Sequence, residues 1–230
     1  MKINGLQKMT LLDYPDHIAC TVFIAGCNYK CPYCHNSELI NKDAEVVMDD
    51  SEFFKFLEKR KGLLDGVAVT GGEPLLNNEI EEFLVNIKKM GYPVKLDTNG
   101  SFPNKLKNII EKDLVSYVAM DIKNSKERYA QTVGLNAIDI SKIKESINLL
   151  MNSSVDYEFR TTVVDELFDD SSFIGISEMI KGAKRYFLQA FTDRDTVVYS
   201  GFSAPSKEKM YRYRDIMKGN VERVELRGVE

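Results

Sequence analysis

The sequence predicts an α/β fold built on a mostly parallel sheet, and three observations predict it. Short apolar runs of β type alternate with segments of helical period along the chain, the pattern of strands joined by right-handed crossovers. The strand-like runs are rich in Val, Ile and aromatic residues without strict alternation, as expected of strands covered on both faces. Polar residues collect where these runs end. In β/α barrels that carboxyl end is the rim on which active sites are built.

Strands are expected at 18–24, 66–69, 94–97, 117–122, 157–164 and 185–190. Helices fall between them. Phe53, Phe54 and Leu57 share one face ahead of Gly62. Ile80, Phe83, Leu84, Ile87 and Met90 form a long stripe closed by Gly91, a residue type that ends helices in a left-handed turn. Ile143, Ile147 and Leu150 form another stripe, and further helical segments fit 103–113, 172–182 and 206–218. The first strand runs into Cys27-Asn28-Tyr29-Lys30-Cys31-Pro32-Tyr33-Cys34. The second ends in Thr70-Gly71-Gly72-Glu73-Pro74, and the third in Leu96-Asp97-Thr98-Asn99-Gly100. The fourth ends in Met120-Asp121-Ile122-Lys123, and the fifth carries Arg160-Thr161-Thr162.

The chain has 230 residues, 43% hydrophobic and 29% charged, which suits one domain with a sizeable core and argues against disorder. The net charge of −4 argues against a broad nucleic-acid-binding face. The basic-aromatic stretch from Lys207 to Arg214 is read as a solvated helix face, because Met210, Tyr213 and Met217 repeat at helical spacing. No apolar run is long enough to span a membrane. Four cysteines and an N-terminus without an apolar signal region point to a reducing cytoplasm.

Three of those cysteines follow C-x3-C-x2-C, with Tyr33 before the third. Three soft ligands on one loop can hold three corners of a cubane iron–sulfur cluster and leave the fourth iron open to a substrate. Three other readings remain. His35 after Cys34 could complete a zinc site, although closed zinc sites usually use two separated pairs. Cys31-Pro-Tyr-Cys34-His35 matches a covalent haem attachment, which requires export and leaves Cys27 unexplained. A disulfide is disfavoured in a reducing compartment. Cys20 lies in an apolar run and reads as a core thiol. His17 reads as a surface residue.

Each polar motif has a plain structural reading beside the functional one. Gly71-Gly72-Glu73-Pro74 can be a strand-to-helix turn. Beside a cluster, its carbonyls and the Glu73 carboxylate can also accept hydrogen bonds from a cationic amine. Asn99-Gly100 is a turn pair, but it does not explain a carboxylate at Asp97. Asp121 and Lys123 face the same side of a strand, as an internal ion pair or as contacts to a ribose or carboxylate. Arg160 carries a fork suited to a carboxylate.

Taken together, these motifs resemble the radical S-adenosylmethionine (SAM) superfamily. Leu96-Asp97-Thr98-Asn99-Gly100, Asp121-Ile122-Lys123 and Arg160 resemble the activating enzymes of glycyl-radical enzymes. The opening Leu11-Leu12-Asp13-Tyr14-Pro15 and the chain length resemble the group that activates anaerobic ribonucleoside-triphosphate reductase, in its form close to pyruvate formate-lyase activase. The resemblance is carried by about the first 165 residues. It implies a partial (β/α)6 barrel with a core over about 15–190 and an extension over 191–230 that closes the barrel edge or docks a partner.

It also implies a [4Fe–4S] cluster on Cys27, Cys31 and Cys34 and SAM as cosubstrate. Tyr33 would lie by the adenine, and the Gly71, Gly72, Glu73 and Pro74 loop would hold the methionine amine. Asp97, Thr98, Asp121, Lys123 and Arg160 would line the SAM site. No protein side chain is assigned as catalytic. Asp97, Thr98 and Asp121 resemble a monovalent-cation site of the pyruvate formate-lyase branch, but that branch's histidine near the sixth strand is absent from Phe187-Leu-Gln-Ala-Phe191. No cysteine lies between Cys34 and the second strand, so a single cluster is expected. The implied partners are a glycyl-radical enzyme and an electron donor such as flavodoxin or ferredoxin, with no nucleic acid and no membrane. A radical SAM enzyme acting on a small molecule, such as one forming a deazapurine carboxylate, is the second reading. A structural zinc module is the third.

Overall fold

The computed structural model describes residues 1–229. The chain divides into two compact units. The first comprises Met1–Asn28, Glu38–Thr98 and Asn104–Val118, and the second comprises Tyr29–Ser37, Asn99–Pro103 and the residues from Ala119 onward.

The first unit opens with β1 (Lys2–Ile3) and β2 (Gly5–Thr10), followed by β3 (Ala19–Ile24). β2 lies antiparallel to β3. It was not expected from the sequence, because its Gln7-Lys8-Met9 centre is exposed and shows no apolar period. A strand at a sheet edge needs little apolar pattern to pair. β4 (Met48–Asp49) pairs antiparallel with β1 and leads into α1 (Asp50–Glu58). A capping box starts this helix: the Asp49 carboxylate accepts from Glu52 N at 2.9 Å, and Glu52 accepts from Asp49 N at 3.1 Å. That pairing satisfies amides otherwise orphaned at a helix start.

β5 (Gly66–Gly71), α2 (Ile80–Lys89), β6 (Val94–Thr98) and α3 (Pro103–Glu111) continue the alternation. β3, β5 and β6 are parallel, and the register sets Thr21, Ala68 and Lys95 in one row across them. Phe53 and Leu57 of α1 are buried with Phe83, Leu84 and Ile87 of α2. The Phe53 and Phe83 rings lie 5.5 Å apart. The stripes read from helical spacing are therefore the buried faces, with Phe54 and Met90 half-buried.

Strand β7 (Tyr117–Asp121) passes from the first unit to the second. The second unit then holds α4 (Tyr129–Thr132), α5 (Ile140–Asn152), β8 (Asp156–Val163), α6 (Asp170–Met179) and β9 (Arg185–Ala190). It ends with α7 (Lys207–Met217) and β10 (Arg223–Arg227). β8, β9 and β10 are parallel, so the C-terminal segment extends the sheet beyond β9. Phe173 of α6 stacks on Tyr213 of α7 at 4.2 Å. Met210, Tyr213 and Met217 are buried, and Lys209 faces outward to pair with Asp165 at 2.6 Å. Arg227 grips the buried Glu158 with two hydrogen bonds of 3.1 and 3.0 Å and lies 3.5 Å from the Phe187 ring centre. Among the described residues, no helix is long and apolar enough to cross a membrane.

Candidate cofactor site

The first unit positions Cys27 and the Gly-Gly-Glu turn against each other. Gly26, at φ +98°, turns the chain at the end of β3, and its N–H donates to Leu39 O at 2.8 Å. Cys27 N donates to Ile40 O at 3.0 Å. Gly72 N donates to Ile24 O at 2.9 Å, and Glu73 N donates to Gly26 O at 2.8 Å. The two glycines permit this lacing: a Cβ on Gly71, at φ +124°, would stand 2.3 Å from Ile24 O, and one on Gly72 would stand 2.4 Å from Gly26 O. The glycines thus bring two strand ends into contact, a use that the sequence did not separate from approach to a ligand. Glu73 is almost fully buried and caps the short turn Pro74–Leu76. Its Oε1 accepts from Leu75 N at 3.0 Å and from the Thr98 hydroxyl at 2.9 Å.

In the same unit Asp97 forms an ion pair with Lys95, whose side chain is only 3% exposed. Sequence reasoning passed over Lys95, which lies inside an apolar strand. The signal was available, because residues two apart on a strand share a face.

The second unit holds Cys31, Tyr33 and Cys34. Cys34 N donates to Cys31 O at 3.1 Å, closing a turn around Pro32 and Tyr33, and Lys30 N donates to Val133 O at 2.9 Å. Tyr33 is 4% exposed; burial, then the neighbouring Cys31, pushes its phenol well above the ordinary value. Burial also raises the Cys34 thiol, with the Lys123 ammonium opposing it. His35 Nε2 donates to Thr192 O at 2.7 Å, and its ring stacks on Phe191 at 5.3 Å. That nitrogen is therefore not available as the fourth ligand of a zinc site.

Asp121, Lys123 and Arg160 meet as a triad. Lys123 Nζ reaches Asp121 Oδ2 at 2.8 Å, and Arg160 Nε reaches Oδ1 at 2.5 Å. Burial alone would raise the Asp121 carboxyl, yet the guanidinium and ammonium outweigh it and hold the group far below the usual range. Lys123 is held well above its ordinary value by Asp121, against its own burial. The three expected cation ligands are each engaged within the chain: Asp97 by Lys95, Thr98 through its bond to Glu73, and Asp121 by Lys123 and Arg160.

In chemical type, three thiols in one short stretch of sequence are the donors a cubane takes. Cys27, Cys31 and Cys34 are partly exposed, whereas Cys20 is buried with its thiol pushed up to about 12. Among the described residues, no three His, Cys, Asp or Glu side chains form a site for a single metal ion. A cubane makes no such demand, because each thiolate binds its own iron.

Residues 21–171 match the model of the radical SAM superfamily. The chain belongs to that superfamily. Membership implies a [4Fe–4S] cluster and SAM as its cofactors. A protein of Methanocaldococcus jannaschii with the provisional name glycyl-radical enzyme activating enzyme is 28% identical over 238 residues, covering 99% of this chain and 96% of its own length. The pyruvate formate-lyase-activating enzyme of Clostridium pasteurianum is 32% identical over 131 residues, covering 54% of this chain. The match takes in about half (52%) of that relative's length. Among solved structures, Streptococcus suis SuiB bound to its precursor peptide SuiA superposes on 90% of this chain and 48% of its own, with TM-score 0.70 and 12% identity. That likeness shows a shared fold.

Proposed function

We propose that this protein activates a glycyl-radical enzyme, with anaerobic ribonucleoside-triphosphate reductase as the first candidate partner. The observation that carries the reading is the lacing of the Cys27 loop to the Gly71–Glu73 turn by two backbone hydrogen bonds of 2.9 and 2.8 Å, to Ile24 and Gly26, with Gly26 and Cys27 bonded in turn to Leu39 and Ile40 at 2.8 and 3.0 Å. It fixes the first cysteine beside a buried carboxylate suited to an amine. The near end-to-end likeness to the M. jannaschii protein supports the choice of partner class.

In this reading Cys27, Cys31 and Cys34 hold three corners of the cluster. When bound, cluster and SAM supply a carbon-centred radical able to take a hydrogen atom, here from a glycine of the partner. Glu73, held by Leu75 N and Thr98, accepts from the SAM amine. Lys123 and Arg160 offer N–H donors to the SAM carboxylate or ribose, with Asp121 fixing both cations. Tyr33, buried beside the second and third cysteines, packs by the adenine and keeps water out. Flavodoxin or ferredoxin would deliver the electron, in the cytoplasm.

The test is anaerobic incubation of reconstituted protein with SAM, reductant and candidate partners, followed by electron paramagnetic resonance. A doublet that appears on one glycyl-radical enzyme and needs SAM is expected. SAM turnover with a purine precursor, and no radical on any partner, would replace this reading with the small-molecule one.

A further inference from the structure

We propose that Lys95 is the built-in counter-cation of Asp97 and stands in for a free monovalent cation, so that SAM binding here does not depend on Na⁺ or K⁺. The inference rests on the reading of Asp97 as part of the SAM site. Lys95 and Asp97 occupy the same face of β6, and their side chains are 3% and 15% exposed. An ammonium so far from water persists only when paired, and here the pair is made within one strand. Parallel neighbours leave room for the lysine stem: the residues in its row are Ala68 and Thr21. The Thr21 hydroxyl turns to Asp13, donating at 2.5 Å. The next residue, Thr98, directs its proton to Glu73 at 2.9 Å.

A cation drawn to Asp97 would therefore meet a fixed positive charge already bonded to that carboxylate. Lys95 is a positioning residue in this account: it neutralises and orients Asp97 and touches neither cofactor.

The test compares SAM affinity in choline chloride with affinity in KCl or NaCl at equal ionic strength, using anaerobically reconstituted protein. The wild-type dissociation constant is expected to change by less than about twofold. Lys95→Met is expected to lose about tenfold or more in choline and to regain most of it in K⁺ or Na⁺. In cluster-free protein without SAM, the unfolding temperature of Lys95→Met should rise with K⁺ or Na⁺ relative to choline, while that of the wild type should not. Lys95→Arg, which keeps the charge, should behave like the wild type; should Lys95→Met fail to fold, this variant and the wild-type salt comparison decide the matter. Wild-type affinity that climbs with K⁺ or Na⁺, or a Lys95→Met variant that binds SAM normally in choline, overturns the inference alone. Wild-type protein that binds no SAM in any buffer overturns the SAM-site reading and this inference with it.

Discussion

Cys20 and Cys31 show how placement divides chemically identical side chains. Cys20 is fully buried in β3, and its thiol is held protonated by burial. Cys31 lies on a partly exposed loop, where a thiolate can be made and used. Cys31→Ala is expected to abolish cluster assembly and SAM cleavage. Cys20→Ala should leave iron content unchanged and lower stability by about 1 kcal/mol; iron and sulfide analysis with a melting curve checks both. Asp121 gives a pH prediction. Its folded-state carboxyl is depressed, so its contribution is fully present above the unfolded value of about 3.9 and is lost as pH falls below it. Asp121→Asn should be less stable than the wild type by about 2 kcal/mol at pH 7. The gap should narrow progressively below about pH 4, as read by denaturant titrations across pH. A gap that stayed constant to acid pH would show that the triad is not ionised as described.

At the scale of elements, the apolar stripes were legible because burial of a helix face leaves a 3.6-residue period in the sequence. Ile143, Ile147 and Leu150 on α5 are buried as that period requires. The same reasoning could not find β2, whose exposed centre carries no period, or α4, which is only four residues long. Strand ends were legible as polar motifs, but their joints were not. Gly71 is one such joint: backbone at positive φ and a 2.3 Å approach to Ile24 O both exclude a side chain. Gly71→Ala should lower stability by about 3 kcal/mol or more, or roughly 6–12 °C in melting temperature for a chain of this size. Loss of the cluster at unchanged melting temperature would instead assign the glycine to ligand approach alone.

At the scale of the whole molecule, the segment beyond residue 190 is part of the fold. α7 covers Phe173, and β10 lies against β9. Truncation before Ser206 would strip that strand and remove the buried Met210, Tyr213 and Met217, each worth about 2 kcal/mol of apolar burial. The shortened chain is expected to be poorly soluble, to bind a hydrophobic dye and to lose cooperative unfolding. A truncated protein that melts like the full chain would make the segment dispensable to the fold. The net charge of −4 is no guide here, since it bears on solubility and encounter rather than on which strands pair.

The sequence by itself determined the three clustered cysteines, the alternating α/β order and the polar residues at successive strand ends. Those features are local, and spacing or period reports them directly. Only the tertiary structure decided that His35 is tied to Thr192, and that Gly71 and Gly72 serve the joint between β3 and β5. Each of these depends on which backbone arrives from a distant part of the chain, and no local pattern encodes that meeting.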